Sequence, residues 1–360
     1  MIPGMSRIVV IVATVGLALG VACSSTEETA ESTVPAESLA LPNERHLTNI
    51  RQLTFGGENA EAYFSFDGEW LSFQSTGEHA CDQIFTMRTD GTERRLVSSG
   101  NGRTTCSHYT LDGEHIVYAS THLGGDACPP VPGMERGYVW PIYDTYDIFR
   151  ADRDGSNLVR LTDTPGYDAE ATIGPDGTIV FTSVRDGDME IYTMNLDGSD
   201  VRRLTNLPGP DGGPFFSRDG STIVFRGRHP EPGPELDEYF GLLGQGLWRP
   251  TTLDVFVMDR DGSNLRQVTT QAMKGANWAP YFTPDGERVI FASNFADPAG
   301  RNFDIYLINV DGTGLEQVTF HESFDGFPMF SPDGTKIVFS SNRNASQDGE
   351  TNIFIADWVG

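Results

Sequence analysis

The sequence is poor in positive charge. Its 360 residues carry 25 Lys and Arg against 51 Asp and Glu, which gives a formal net charge of −26 at pH 7. A surface of this kind repels nucleic acid and anionic lipid head groups, so we expect no nucleic-acid partner. It suits a soluble protein, a bound cation or a basic partner. Because much of the Asp falls in turns, where Asp is structurally preferred, a solvated acidic surface is the simplest interpretation.

Cysteine is scarce as well, with four in the chain and no Cys-x-x-Cys pair. Without such a pair, a zinc cluster is not expected. Apart from Cys23, the disulfide candidates are Cys81, Cys106 and Cys128. In an oxidising compartment they predict one disulfide and one free thiol, and the sequence leaves open which two pair.

Common catalytic motifs are also missing. The chain has no Gly-x-Ser-x-Gly nucleophile elbow, no phosphate-binding Gly-Lys-Ser/Thr loop and no dinucleotide-binding fingerprint. Serine-hydrolase activity and nucleotide chemistry of these types are therefore not expected. Whether the protein is an enzyme at all stays open, with a non-enzymatic role preferred.

The main apolar run is N-terminal, "MSRIVVIVATVGLALGVAC", and is short for a permanent transmembrane helix. An Arg before it and a Cys at its end are typical of a secretory signal. The run resembles a bacterial lipoprotein signal, which implies cleavage after residue 22 and lipidation of Cys23. Residues 23–44 are rich in Ser, Thr, Glu and Pro and predict a disordered tether. We expect a folded domain at 45–360, lipid-anchored on the periplasmic side of an inner or outer membrane.

What the sequence has in abundance is a repeat. An Asp-Gly turn follows an aromatic or apolar residue and precedes an apolar run such as "TIVF", and it recurs at Asp67, Asp112, Asp176, Asp219, Asp285 and Asp333. A third apolar run, a second Asp-Gly turn and a short strand complete most units. Asp-Gly between β-branched runs indicates a hairpin. Six four-stranded units predict an all-β, six-bladed β-propeller.

The ends of the repeat array predict how the ring closes. The sixth unit stops after its third strand, "NIFIADWVG", whereas "NIRQLT" at 49–54 has the pattern of a fourth strand and precedes the first unit. We expect this N-terminal strand to complete the last blade, which protects strand edges that would otherwise invite aggregation.

Two of the repeats carry a family resemblance. "FSPDGTKIVFSSNR" and "EIYTMNLDGSDVRRLT" are similar to the repeats of TolB-like propellers, which also occur in prolyl-oligopeptidase-type enzymes. The resemblance implies the propeller fold over nearly all of the mature chain. TolB itself has an α/β domain ahead of its propeller, where this chain has the tether, and TolB propellers bind the lipoprotein Pal at the channel mouth. The resemblance alone does not fix a function.

The blade topology predicts which face binds. Both Asp-Gly turns of a blade lie on one face, and the variable loops lie on the other. Two long insertions occur there, at 121–146 in blade two and 228–252 in blade four. Long loops on a rigid scaffold commonly carry function, so this face is the predicted site. The alternative is that the insertions only pack on each other, with their aromatic residues as core.

Equivalent positions of the six inner strands predict a ring at the channel mouth. Counted eight residues back from the turn Asp, the ring is Asn59, Thr104, Asp168, Asp211, Asn277 and Asp325, with Glu61 and Glu170 two residues further on. Carboxylates and amides suit Ca²⁺ or another divalent cation, for which Asp168, Asp211 and Asp325 are the candidate ligands, or a cationic ligand. Water binding and loop capping are the alternative.

Three further residues complete the predicted ligand-binding set. His108 lies in an inner strand, and Arg185 and Arg343 begin matching loops on the variable face. Each Arg is expected to pair with a neighbouring acid or to bind an anionic group. Some polysaccharide lyases on related propellers use a metal and a channel-mouth histidine, so a metal-dependent enzyme such as a glycan lyase is one alternative function. A propeller accessory to a separate peptidase is another.

Together these patterns favour a binding or scaffolding propeller at the cell envelope. It is expected to be a monomer that recognises a protein, peptide or glycan on the face that bears the two long loops, and to meet the membrane through its lipid anchor alone.

Overall fold

The computed structural model describes residues 39–77, 79–297, 300 and 302–360. The predicted signal peptide, Cys23 and most of the predicted tether lie outside these residues. Within them, no helix has the length and apolar character needed to span a bilayer.

Six four-stranded antiparallel sheets form the blades of a propeller, as the repeat predicts. From inner to outer, the strands of blade one are β2 Asn59–Phe64, β3 Trp70–Ser75, β4 Gln83–Arg88 and β5 Arg95–Leu96, and those of blade two are β6 Thr104–Tyr109, β7 His115–Ser120, β9 Asp147–Asp152 and β10 Val159–Arg160. Blade three has β11 Asp168–Ile173, β12 Ile179–Ser183, β13 Glu190–Met194 and β14 Arg202–Arg203, and blade four has β15 Asp211–Phe216, β16 Thr222–Gly227, β18 Asp254–Asp259 and β19 Arg266–Gln267. Blade five has β20 Asn277–Phe282, β21 Arg288–Ser293, β22 Asp304–Asn309 and β23 Glu316–Gln317, and blade six has β24 Asp325–Phe330, β25 Lys336–Ser341, β26 Asn352–Trp358 and β1 Leu47–Gln52.

The ring closes through the N-terminal strand, and that prediction is confirmed. Strand β1 pairs antiparallel with β26, with Leu47 opposite Trp358 and Gln52 opposite Phe354. Ordered packing also reaches further toward the N-terminus than the predicted start of the domain at 45. Leu39 joins the apolar core of blade six, and the carboxylate of Glu44 is buried there.

The inner Asp-Gly turns are held by their own aspartates. In blade one, Oδ1 of Asp67 accepts hydrogen bonds from the Ser65 hydroxyl and the Glu69 amide, at 2.5 and 3.0 Å. The same arrangement recurs at Asp333 in blade six. Gly68 has a φ of 75°, a left-handed value that favours glycine. This local chemistry explains why the turn motif repeats so faithfully.

Apolar side chains fill the spaces between neighbouring sheets. Several blades have a fully buried phenylalanine at the same position of the second strand, among them Phe181, Phe225, Phe291 and Phe339. Alternation along each strand places one set of side chains against each neighbouring blade. The repeated apolar runs therefore build a continuous core around the ring.

Each inner strand contains a β-bulge. Pairing between the first and second strand of every blade shifts register after the second residue, as between Ala60 and Tyr63 in β2. The bulged residue has a positive φ of 48–59° in all six blades. Those residues form what we call the channel ring: Glu61, Cys106, Glu170, Gly213, Ala279 and Phe327. A bulge re-aims a side chain. All six are partly exposed, whereas the residues two positions earlier are buried.

The two long insertions fold into structure of their own, which we call the blade-two lid and the blade-four lid. The blade-two lid contains β8 (Trp140–Pro141) and two short 3-10 helices, His122–Gly124 and Met134–Arg136. The blade-four lid contains helix α1 (Pro234–Leu243) and β17 (Leu247–Trp248). This helix was not expected from the sequence, because a ten-residue segment with Pro and Gly at its flanks carries a weak helical signal.

Candidate functional site

The two lids pair with each other across the top of the ring. Strands β8 and β17 form a two-stranded antiparallel sheet, with Trp140 opposite Trp248. Trp140 also contacts Trp278 of the blade-five inner strand, at 6.1 Å between ring centroids. The Tyr239 hydroxyl of α1 donates to Oδ1 of Asp188 at 2.5 Å, which fixes the helix to blade three. The lids are therefore packed elements with a small core of their own.

A groove of about 830 Å³ lies between the lids, above blade three. One wall is the extended segment Pro130–Pro132 with Tyr143, and the other is the C-terminal end of α1 with Phe240 and Leu243. Tyr167 and Val184 of blade three lie along the groove. The Tyr143 hydroxyl donates to the carbonyl of Pro130 at 2.8 Å, so this wall is tied in place. Packing between the lids thus coexists with an open apolar groove.

A disulfide anchors the blade-two lid to blade one. Of the three candidate cysteines, Cys81 and Cys128 are bonded and Cys106 is free. Cys81 lies in the blade-one loop between β3 and β4, and Cys128 lies in the lid. One wall of the groove is therefore covalently attached to a neighbouring blade.

The polar side of the channel ring is a connected cluster. The Cys106 thiol donates to Oε2 of Glu61 at 2.9 Å, and the Tyr63 hydroxyl donates to the same oxygen at 3.2 Å. Glu170 pairs with Arg226 and accepts a hydrogen bond from the Gly213 amide at 2.8 Å. This cluster lies on one side of the ring, and Phe327 lies in the aromatic group on the other.

Burial sets the protonation of the polar cluster. It raises the pKa of Glu61 to about 7, although the Cys106 hydrogen bond acts the other way. Burial, followed by the charge of Glu61, raises the pKa of the Cys106 thiol well above its ordinary value, so this thiol is not an activated nucleophile. Burial also acts on Glu170, but the charge and hydrogen bond of Arg226 outweigh it and lower the pKa of Glu170. Glu170 therefore stays ionised while Glu61 titrates near neutrality.

Sequence reasoning missed Arg226, although a signal was present. At the equivalent position of the second strand, the other blades have Gln74, Ala119, Thr182, Ala292 and Ser340. A single cationic side chain, where the other blades have small or neutral residues, indicates a buried acid nearby. Arg226 also lies over the Trp248 ring at 5.4 Å, so it connects the channel ring to the blade-four lid.

The residues predicted to form a ring at the channel mouth lie instead at the junctions between blades. All six are buried and hydrogen-bonded to other residues of the protein: Asn59, Thr104, Asp168, Asp211, Asn277 and Asp325. Asp168 pairs with Arg185, Asp211 with His229, and Asp325 with Arg343, at 2.9, 2.8 and 2.9 Å. Asn59 and Asn277 each accept a hydrogen bond from a serine of the second strand. The two arginines thus pair with acids, the first of the two roles considered for them.

Comparison with known proteins relates part of the chain to a family. Residues 248–359 match the family described as the TolB beta propeller domain. The matched segment is less than half of the chain and includes blades five and six, apart from strand β1. This part of the chain is therefore similar to TolB propellers. No curated protein sequence matches the chain.

Several solved structures share the fold of this chain. TolB from Acinetobacter baumannii is 19% identical with a TM-score of 0.54; the alignment covers 74% of this chain and 55% of that one, so this chain spans about half of that protein. The protein of Agrobacterium tumefaciens assigned as TolB is 19% identical with a TM-score of 0.56, over 84% and 91% of the two chains. An oligogalacturonate lyase in complex with manganese is 14% identical with a TM-score of 0.53, over 86% and 93%. Likeness at these identities shows a shared fold.

The described part of the propeller contains no ready-made set of metal ligands. There, no group of three or more His, Cys, Asp or Glu side chains is arranged to hold a metal ion. The candidate ligands Asp168, Asp211 and Asp325 lie in different blades, each beside its own Arg or His partner. His108 faces the opposite end of the channel from the lids, among aromatic rings.

One buried carboxyl of the propeller is poorly compensated. Asp304 accepts a hydrogen bond from Gln317, but its Oδ1 has no partner among the described residues. Burial, followed by the negative charges of Asp325 and Glu44, raises the pKa of Asp304 to about 7. Since the folded state holds this proton more tightly than the unfolded chain, Asp304 favours folding below about pH 4. That contribution is lost as the pH rises through 7.

Replacing Asp304 with asparagine should remove this pH dependence. We expect Asp304→Asn to equal the native protein in stability at pH 4 and to exceed it by about 1–2 kcal/mol at pH 8, since relaxation and screening reduce the full effect. Urea unfolding at both pH values measures the difference. The exposed Asp348→Asn serves as the matched control and should show none. Equal stability of Asp304→Asn and the native protein at pH 8 would contradict the argument.

Proposed function

We propose that this protein is a binding propeller of the bacterial envelope that holds an extended peptide segment of a partner protein in the groove between its two lids. The groove carries the proposal. Its volume of about 830 Å³ lies within the range of sites that enclose a ligand, and its walls are mainly apolar. A rigid propeller presenting variable loops is a common arrangement for recognition.

The lining favours an apolar peptide. Val131 is 69% exposed and Phe240 is 40% exposed, although both are large apolar side chains. Exposed apolar surface rimmed by polar residues is typical of an interaction site. The groove is also bordered by irregular backbone at Pro130–Pro132 and 244–246. Extended peptides combine apolar side chains with main-chain hydrogen bonds, which suits such walls.

The charge of the groove favours a peptide with a basic residue. Asp144 lines the groove, is exposed, and has no hydrogen bond or ion pair within the described chain. The other lining residues are uncharged. With a net charge of −26 on the whole chain, the surrounding field also attracts a basic partner. We therefore place a Lys or Arg of the bound peptide beside Asp144.

The envelope location has separate support. Residues 248–359 match the TolB beta propeller domain, and two of the structural neighbours are TolB or assigned as TolB. The N-terminal segment predicts export with lipidation at Cys23. A disulfide between Cys81 and Cys128 suits an oxidising compartment. The lipid would hold the propeller at the membrane while the groove faces its partner.

A displayed random peptide library tests the proposal. Selection on the purified propeller should enrich apolar peptides with at least one basic residue. Their affinity should fall about three- to tenfold for Asp144→Lys, because an attraction is replaced by a repulsion. Asp348→Lys makes the same charge change on an exposed loop of blade six and should leave affinity unchanged.

Three outcomes would contradict the proposal. The first is that no peptide is enriched, and the second is that both charge-reversal variants have the same effect. The third is that the groove binds oligosaccharides and not peptides, in which case its ligand would be a glycan.

A further inference from the structure

A second cavity lies at the other end of the channel. It has a volume of about 300 Å³ and is formed where the inner strands run into their Asp-Gly turns, at the opposite ends of those strands from the lids. This size suits a small molecule with a single ring. The lining is largely aromatic and apolar, with Phe66, Phe215, Tyr281 and Met329 among its members.

His108 supplies a hydrogen-bond acceptor inside this cavity. The residue is 5% exposed, and burial lowers the pKa of the imidazole to about 4, so the ring is neutral. Nδ1 lies 3.1 Å from the carbonyl oxygen of Tyr109 and donates a hydrogen bond to it. Nε2 therefore carries the lone pair. Within the described residues Nε2 has no hydrogen-bond partner, although His108 lines the cavity.

Neighbouring rings fix the orientation of this imidazole. Phe66 contacts it edge to face at 5.7 Å, and Phe215 does so at 6.4 Å between ring centroids. Phe215 in turn contacts Tyr281 at 5.2 Å. Flat aromatic walls with edge-to-face contacts favour a flat aromatic guest.

Arg218 supplies the positive charge of the cavity. It is exposed, it lines the mouth, and among the described residues it has no ion pair or hydrogen bond. The other five blades have Phe66, Leu111, Pro175, Pro284 and Pro332 at this position of the turn. The adjacent Asp219 is not among the residues that line the cavity, and it accepts hydrogen bonds from Ser217 and Ser221 within its own turn.

The hydroxyl of Tyr281 adds a second donor. Tyr281 lines the same cavity, and its hydroxyl has no hydrogen-bond partner in the described chain. Burial raises the pKa of Tyr281 to about 12, and the charge of Arg218 opposes this rise, so the hydroxyl keeps its proton. A guanidinium and a neutral phenol together suit a carboxylate.

We propose that this cavity binds a small single-ring aromatic carboxylate that also carries a hydroxyl or amino group. The carboxylate pairs with Arg218 and Tyr281 at the mouth, and the ring lies against Phe215. The hydroxyl or amino group donates to Nε2 of His108. The proposal is independent of the lid groove, which lies at the opposite ends of the inner strands.

Calorimetric titration with three probes tests the assignment. Para-hydroxybenzoate has both recognition groups, benzoate lacks the donor, and phenol lacks the carboxylate. We expect para-hydroxybenzoate to bind most tightly, about fivefold better than benzoate, which is the contribution of one neutral hydrogen bond. Phenol should bind about tenfold or more weakly than para-hydroxybenzoate, because it loses a charge-assisted contact.

Variants assign each contact. Arg218→Gln should weaken para-hydroxybenzoate and benzoate alike by about tenfold or more. His108→Phe keeps an aromatic ring and should abolish the preference for para-hydroxybenzoate over benzoate. Arg136→Gln, the same charge change on the exposed blade-two lid, and Asp144→Lys in the lid groove should both leave binding unchanged. Thermal unfolding checks that each variant is folded.

The absence of saturable binding by the native protein would overturn the proposal. It would also be overturned if Arg218→Gln bound para-hydroxybenzoate as tightly as the native chain. If folded His108→Phe still preferred para-hydroxybenzoate over benzoate, Nε2 would not have the role assigned to it.

Discussion

Replacement of Arg343 by methionine is expected to destabilise the propeller by about 3–5 kcal/mol, the usual effect of breaking a buried ion pair from one side. Arg343 is 3% exposed in its side chain, and its partners Glu44 and Asp325 are 0% exposed. The guanidinium donates to both oxygens of Glu44, to Asp325, to the Leu39 carbonyl and to the Ser341 hydroxyl. Methionine would leave two buried carboxylates without a cation.

Equilibrium unfolding in urea measures this loss, and two comparisons define its origin. Arg45→Met removes an arginine from the same N-terminal segment whose side chain is 73% exposed, and should cost less than about 1 kcal/mol. Combining Arg343→Met with Glu44→Gln and Asp325→Asn should recover part of the stability, because the uncompensated charges are then gone. A loss below 1 kcal/mol for Arg343→Met would show that Glu44 and Asp325 are not held in place by this arginine.

The second large effect is expected from removing the disulfide. The double variant Cys81→Ala with Cys128→Ala should lose about 4 kcal/mol, the chain-entropy value for a loop of 47 residues. The bond joins blade one to the blade-two lid, so its loss should also raise hydrogen exchange in the lid and weaken peptide binding in the groove.

Reduction provides the matched comparison. A reducing agent should destabilise the native protein by the same amount and leave the double variant unchanged. Cys106→Ala, which removes the free thiol, should cost only about 1 kcal/mol through its hydrogen bond to Glu61. Equal stability of the native protein and the double variant under oxidising conditions would contradict the expected constraint.

The variable face shows how far sequence reasoning reached toward the candidate site. Insertion length identified both lids, because a long loop on a repeat scaffold is visible in the spacing of the Asp-Gly turns. The pairing of β8 with β17 was not visible, since Trp140 and Trp248 are far apart in sequence and meet through two-residue strands. The groove exists only because the lids pair while leaving this space open.

The ring of polar residues predicted at the channel mouth shows a different limit of sequence reasoning. Asp168 and Asp325 were placed at the channel mouth by their register in the repeat, yet both are buried beside arginines. The bulge in each inner strand explains the difference. A bulge adds one residue to one strand, so alternation cannot be carried through it, and the bulged residues Glu61 and Glu170 face the channel instead.

By itself, the sequence determined the blade count, the strand order within a blade and the closure of the ring. Each of these depends on contacts between residues close in the chain, such as Asp67 with its own turn, or on a displaced strand such as β1 that keeps its pattern. The tertiary structure alone decided that Cys81 pairs with Cys128, that Arg343 holds Glu44, and that Arg226 holds Glu170. These choices depend on distances between remote segments, which become fixed only when the ring closes and side chains compete for the same buried space.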